Sequence, residues 1–214
     1  MSPAPSPTLQ ELVREGAGYL EAREVPSPRF DAQVLLAHAL GISRSDLLQR
    51  VGETAPEAVS RHYRDHLPRR GERVPLQHLT GVQEFWSLEF EVSPAALIPR
   101  PETELLVEEA LRRGPGPSAR IADIGTGSGN IAVALARELP AARIVATDTS
   151  AQALELARRN AQRHGVAGRI QFLQGDLAEP LSRSVEPESL DLLLSNPPYI
   201  SSEELAALQP EVRE

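Results

Sequence analysis

Apolar residues along this chain fall first at helical spacing and later into short runs that alternate with helical segments. Residues 8–72 read as a small helical bundle. Thr8 followed by Glu11 has capping-box spacing, and Leu9, Leu12, Val13 and Leu20 then share one helical face. Ser27-Pro28 opens a second helix, expected to bury Phe30, Val34, Leu35 and Leu40 and to end at Gly41. A short helix is expected after Ser43, and Thr54 with Glu57 has the spacing of another capping box before Val59, Tyr63 and Leu67. From Pro75 the pattern turns β-prone, with runs at 76–80 and 84–92 around a turn at Gly81-Val82. Phe85, Trp86 and Phe90 are expected to form the core of that hairpin.

A helix is expected from Pro101 through Leu105, Leu106, Val107 and Leu111, after which Gly114-Pro115-Gly116-Pro117 punctuates the chain. Strands are then predicted at 120–124, 143–147, 170–174 and 190–194, with helices at 130–139 and 150–164. Such alternation implies an α/β domain with a parallel sheet and right-handed crossovers. The expected organisation is a helical domain over 1–74, a β-hairpin connector over 75–100 and an α/β domain over 101–214.

Composition narrows the function classes. The formal net charge of −8 argues against a dominant nucleic-acid surface, which would draw on clustered Lys and Arg. Arg69, Arg70 and Arg73 form a tight basic group, read as a solvated helix end, with contact to partner-borne RNA as the alternative. The chain has no cysteine, so disulfides and thiolate metal sites are excluded, in keeping with a reducing cytoplasm. No apolar run approaches the roughly 20 residues that span a bilayer, and the N-terminus lacks a signal-peptide pattern. No membrane partner is expected. Residues 1–7 are rich in Ser, Pro and Ala and read as an unstructured tail.

The candidate chemistry sits at predicted strand ends, where open α/β sheets bind ligands. Asn196-Pro197-Pro198-Tyr199 follows the last predicted strand. Two prolines remove N–H donors and leave carbonyl oxygens to accept, Asn196 adds an amide, and Tyr199 adds a flat face with a polar tip. Such a cup of acceptors suits a planar nitrogen carrying hydrogens; a plain Pro-Pro strand stop is the alternative. Asp123-Ile-Gly125-Thr126-Gly127-Ser128-Gly129-Asn130 lies at a strand-to-helix turn. Its G-x-G-x-G spacing departs from the G-x-G-x-x-G of dinucleotide sites, so a pyrophosphate fits poorly. Asp148 ends the second strand of this series, placed to accept ribose hydroxyls, and Asp176 follows the third, placed to meet an adenine amine. Singly each Asp could cap a helix; together they point to a nucleoside pocket without a pyrophosphate.

This set of motifs resembles class I S-adenosylmethionine-dependent methyltransferases. Gln77-His78-Leu79-Thr80-Gly81 and Ile98-Pro99-Arg100-Pro101-Glu102-Thr103-Glu104, with the helical N-terminal domain, resemble the release factor glutamine N5-methyltransferases of the PrmC/HemK family. The resemblance implies a Rossmann-like parallel sheet preceded by the helical domain and the hairpin connector. It also implies a seven-stranded sheet, of which this chain carries four predicted strands; roughly 60 to 80 further residues would complete it. Implied as cofactor is S-adenosyl-L-methionine, held by Asp123, Gly125, Thr126, Gly127, Ser128, Gly129, Asp148, Asp176, Leu177 and Asn196, with residues 100–103 walling the pocket. Implied as catalytic are Asn196 and Pro197 as acceptors and Tyr199 as a packing face, with Pro198 completing the substrate site. The implied partner is the Gly-Gly-Gln loop of peptide chain release factors, docked by the helical domain.

Two rivals remain open on the sequence. A nucleic-acid amino-methyltransferase acting on adenine N6 or guanine N2 uses similar chemistry, and a chain that binds cofactor or partner without turnover is the other. No metal is expected: His62 and His66 stand at i, i+4, but no neighbour in sequence completes a ligand set. Gly127-Ser128-Gly129 also lacks the G-x-S-x-G elbow of a serine hydrolase.

Overall fold

A computed structural model of the protein describes residues 6–184, 186 and 188–197. These fall into two compact units that divide between Thr80 and Gly81. The first holds five helices, α1 (Leu9–Glu21), α2 (Pro28–Leu40), α3 (Arg44–Gln49), α4 (Glu57–Gly71) and α5 (Leu76–Thr80). Thr8 starts α1 with a complete capping box: its hydroxyl accepts the Glu11 N–H while the Glu11 carboxylate accepts the Thr8 N–H. The face of α1 carrying Leu9, Leu12 and Leu20 packs with Leu35 and Leu36 of α2 and with Tyr63 and Leu67 of α4. Each such side chain, when fully buried, contributes roughly 1.5–3 kcal/mol.

Several local expectations for this unit are corrected. Residues 76–80 are helical rather than β: Pro75 cannot continue a ladder as a donor, and its carbonyl accepts the N–H groups of His78 and Leu79 to open α5. Thr54 does not cap α4, whose N-cap is Pro56; it pairs instead with Thr8 across an isolated antiparallel bridge. Phe30 is 47% exposed, and α2 buries Asp31 in its place. The reason is Arg70. Far from being a solvated helix end, it is 7% exposed and donates from Nε to the Asp31 carboxylate at 2.7 Å and from Nη1 to the Val74 carbonyl. Arg73 likewise reaches the Glu24 carbonyl.

The second unit begins with a hairpin, β1 (Val82–Phe85) and β2 (Leu88–Glu91), paired antiparallel. Its turn is Trp86-Ser87, not Gly81-Val82, and both turn residues have φ of +54°, the positive-φ pair of a type I′ hairpin turn. Non-glycine residues resist that conformation by about 1–2 kcal/mol each. Tertiary bonds offset the cost: the Trp86 N–H donates to Glu104 Oε1 at 2.7 Å and its indole N–H to Glu138 Oε1 at 2.8 Å. Phe85 and Phe90 are buried as expected of a hairpin core, whereas Trp86, in the turn, is only half-buried.

After a 3₁₀ turn at Pro101–Thr103 come α6 (Glu104–Arg112), β3 (Arg120–Ile124), α7 (Asn130–Glu138), β4 (Arg143–Asp148), α8 (Ala151–Arg163), β5 (Ile170–Gln174), α9 (Glu179–Ser184) and β6 (Leu192–Ser195). The four strands β3 to β6 form a parallel sheet in the order β5-β4-β3-β6. One face, through Ile121, Ile144, Ala146 and Leu194, shares a core with the hairpin phenylalanines and with α6 and α7. On the other face Ala122 and Ile124 pack with Leu181 of α9, whereas Leu193, in register with Ala122, is 56% exposed. The last strand begins two residues later than predicted because Asp191 turns back to β3: its N–H donates to the Arg120 carbonyl and its carboxylate accepts the Arg120 N–H. The chain runs β3, β4, β5 outward and then crosses back to place β6 against β3. That reversal makes a topological switch point between β3 and β6, with its crevice beyond their carboxyl ends.

Candidate active site

Residues leaving β3 and β6 meet at the switch point. Ile124 and Ser195 are in register, and the Ser195 hydroxyl donates to the Ile124 carbonyl at 3.0 Å. Gly125 and Asn196 therefore emerge side by side. The turn after β3 is shaped by three glycines at φ of +72°, +55° and +81° for Gly125, Gly127 and Gly129, a region that side chains rarely enter. At Gly129 space also decides: a Cβ there would stand 3.0 Å from the Ala157 Cβ and 3.2 Å from its backbone Cα.

Beyond these ends lies a cavity of about 390 Å³, within the size range of small-molecule sites. Gly125, Gly127, Asp148, Asp176, Leu177, Asn196 and Pro197 line it, so most of the predicted site residues converge there. Ala95, Ala96 and Leu97 supply an apolar wall that sequence reasoning missed, immediately before the quoted Ile98–Glu104 motif. Asp148 is held by two backbone donors, Gly127 N–H to Oδ2 and Ser150 N–H to Oδ1, each at 2.9 Å. Each carboxylate oxygen has further acceptor capacity, so these bonds orient Asp148 while leaving it able to take hydroxyl donors. Asp176 is exposed at the exit of β5, and the Leu177 carbonyl accepts the Thr147 hydroxyl at 3.1 Å.

The wall expected from residues 100–103 is supplied by residues 95–97 instead, and four of the predicted cofactor residues do not line the cavity either. Asp123, Thr126 and Ser128 are buried, and Gly129 packs on α8. Asp123 is fully buried; its Oδ2 accepts the Thr126 hydroxyl at 2.6 Å, and its Oδ1 lacks a hydrogen-bond partner of normal geometry. Burial pushes its pKa up to about 6, partly opposed by the Thr126 hydroxyl. Its contribution is to brace the glycine turn from behind. Asn160 does the same from α8 and was missed by sequence reasoning: it is wholly buried and bonds to Ser128 and Glu91. The available signal was a lone asparagine on the face of α8 that otherwise carries Ala153, Leu156, Ala157 and Ala161.

Asn196 donates from Nδ2 to Thr103 Oγ1 at 2.9 Å. Pro198 and Tyr199 lie outside the described residues. His62 and His66 are joined by His38 of α2, whose ring centroid stands 6.1 and 6.2 Å from theirs. Among the described residues, no group of His, Cys, Asp or Glu is arranged to hold a metal, and no helix is long and apolar enough to cross a membrane.

A family model described as the PrmC N-terminal domain matches residues 11–81, and a methyltransferase small domain model matches residues 101–209. The release factor glutamine methyltransferase of Geobacter sulfurreducens is 44% identical over 97% of this chain and 70% of its own length. The protein of the same name in Escherichia coli K12 is 45% identical over 95% of this chain and 71% of its own length. The chain belongs to the release factor glutamine methyltransferase family. Its second unit is accordingly the Rossmann-like core of a class I methyltransferase, carrying four parallel strands among the described residues. Among solved structures, a SAM-dependent methyltransferase from Thiobacillus denitrificans in complex with S-adenosyl-L-homocysteine is 31% identical, with a TM-score of 0.36 over 45% of this chain and 36% of that one.

Proposed function

We propose that this chain transfers a methyl group from S-adenosyl-L-methionine to the side-chain amide nitrogen, N5, of the glutamine in the Gly-Gly-Gln loop of a peptide chain release factor. The observation that carries the reading is the meeting of Asn196 and Pro197 with Asp148, Asp176 and the glycine turn in one cavity at the β3/β6 switch point. The donor set fits the cofactor. Gly125 and Gly127 bring bare backbone to the cavity for the methionine portion, Asp148 presents a pre-oriented carboxylate to a ribose, and Asp176 with Leu177 offers an acceptor beside an apolar face for an adenine. The cofactor, when bound, supplies an electrophilic methyl group on a sulfonium.

An amide nitrogen is a weak nucleophile because its lone pair is delocalised into the carbonyl. Its hydrogens become more acidic as positive charge develops on nitrogen. Acceptors aimed at those hydrogens therefore bind the transition state more strongly than the ground state. Asn196 Oδ1 and the Pro197 carbonyl take that role. No general base is needed, since the methylated nitrogen is acidic enough to release its proton to solvent.

The helical unit docks the folded factor. Its recess of about 780 Å³, where exposed Leu48 stands beside Arg14, Arg29, Glu11 and Glu21, supports that role. A release factor partner makes the cytoplasm the place of reaction and requires neither metal nor direct nucleic-acid contact. The test is to incubate the full chain with S-adenosylmethionine and either a release factor or tRNA and rRNA, and to locate the methyl group by mass spectrometry. One methyl on the factor's Gly-Gly-Gln glutamine is expected; transfer to nucleic acid alone would overturn the reading.

A further inference from the structure

Thr103 stands where α6 begins, a position at which threonine usually turns its hydroxyl onto free N–H groups of its own helix. Here it makes no such cap. The chain enters α6 through the 3₁₀ turn Pro101–Thr103, and Thr103 is itself αR, at φ −70° and ψ −19°. That conformation turns Oγ1 away from the capping role, and the oxygen receives Asn196 Nδ2 instead. At 7% exposure, water competes poorly for the bond. Both sides of the contact are anchored. Glu104, the next residue, accepts the Trp86 N–H at 2.7 Å, and Ser195, the residue before Asn196, donates to the Ile124 carbonyl.

From this geometry we infer that Thr103 is a positioning residue for the methyl transfer, its hydroxyl oxygen holding the amide end of Asn196 so that Oδ1 is directed at the reacting nitrogen. The inference rests on Asn196 being the acceptor proposed above, and names the group that orients it. An asparagine amide has a broad, two-fold terminal torsion, and its two orientations are nearly the same shape. One presents oxygen to the substrate NH₂. The other presents NH₂, which repels it. Oxygen and nitrogen sit on opposite sides of Cγ, so with Nδ2 donating to Thr103 Oγ1, as it does here, Oδ1 lies on the side away from Thr103.

The test compares the full-length wild type with Thr103→Val, which keeps shape and removes the hydroxyl, and Thr103→Ser, which keeps the hydroxyl. Thr103→Val is expected to lower kcat for release factor methylation by about 10- to 100-fold, the size of one lost buried hydrogen bond. KM for the factor and affinity for S-adenosylmethionine should stay within about threefold, and Thr103→Ser should recover most of the rate. Combined with Asn196→Ala, Thr103→Val should add almost nothing, since the two act through one group. Wild-type kcat in Thr103→Val, or equal losses in Val and Ser, would overturn the inference. The Asn196 side-chain amide signals in nitrogen-15 NMR give a readout that needs no substrate. Slow solvent exchange is expected in wild type and Thr103→Ser and fast exchange in Thr103→Val; equal protection in all three overturns the inference. Should the wild type fail to methylate the factor while that exchange pattern holds, the substrate assignment falls and the Thr103–Asn196 linkage stands.

Discussion

Asn160 donates from Nδ2 to the Ser128 carbonyl at 2.9 Å, tying the middle of α8 to the glycine turn. The same amide exchanges two bonds with the backbone of Glu91, accepting its N–H at 2.8 Å and donating to its carbonyl at 3.0 Å. One wholly buried side chain thus sets the turn and the hairpin relative to α8. Asn160→Leu keeps its branched shape and leaves three backbone groups without that partner, each costing about 1–3 kcal/mol when buried unsatisfied. A loss of about 3 kcal/mol or more is expected in urea denaturation, with weaker S-adenosylmethionine binding. A stability change under 1 kcal/mol would remove Asn160 as the clamp.

Asp148 and Asn196 line one cavity but should fail differently. Asp148→Ala is expected to weaken S-adenosylmethionine binding by about 10- to 100-fold in calorimetry, through the loss of charged-acceptor bonds. Asn196→Ala should leave that affinity largely intact and lower kcat by about 100- to 1,000-fold, as removal of a transition-state donor or acceptor does. Unchanged cofactor affinity in the first variant would exclude Asp148 from the pocket. Near-normal turnover in the second would end the acceptor-cup mechanism.

Burial raises Asp123 from its ordinary value of 3.8 to about 6. The folded state therefore holds a proton that the unfolded chain has released between those values. By linkage, stability from this group is fully present below pH 4 and is lost as pH rises through about 6. The difference across that window is about 3 kcal/mol at 1.36 kcal/mol per unit. Asp123→Asn cannot ionise, so its stability relative to wild type should rise from pH 4 to pH 6 and then level off. Chemical denaturation at a series of pH values checks this; parallel curves would show that Asp123 does not titrate in that range.

Gly16 lies inside α1, where alanine would ordinarily stabilise a helix by about 1 kcal/mol. A Cβ at this position would stand 1.8 Å from the Tyr63 hydroxyl and 2.8 Å from its ring carbon. Tyr63 is buried, and its hydroxyl donates to the Leu12 carbonyl at 3.1 Å. Gly16→Ala should therefore destabilise the helical unit by about 1–3 kcal/mol through overpacking. A raised Tm would show that the ring can move aside without loss.

Strand and helix positions in the α/β unit were legible because each apolar run has one period and one role. Residues 120–124 and 170–174 are strands as predicted, and α7 and α8 start within a residue of the expected points. Expectations failed where long-range contacts override local preference. Trp86-Ser87 has none of the usual signature of a type I′ turn, yet two glutamates distant in sequence hold it there. Phe30 yielded its buried place to Asp31 because Arg70, on another helix, supplies the counter-charge.

The four strands of the parallel sheet, the helices α1 to α4, α7 and α8, and the places of the strand-end motifs could be read from the sequence by itself. Periodicity, capping and glycine spacing act over a few residues, so they can be read in line. Which motif residues face the cavity, and which stand behind it, was decided only by the tertiary structure. Asp123, Thr126 and Ser128 look equivalent to Gly125 and Gly127 along the chain, but the strand pleat and the packing of α8 bury them. Thr103 meets Asn196 across 93 positions of sequence, a contact that exists only because β6 crosses back beside β3.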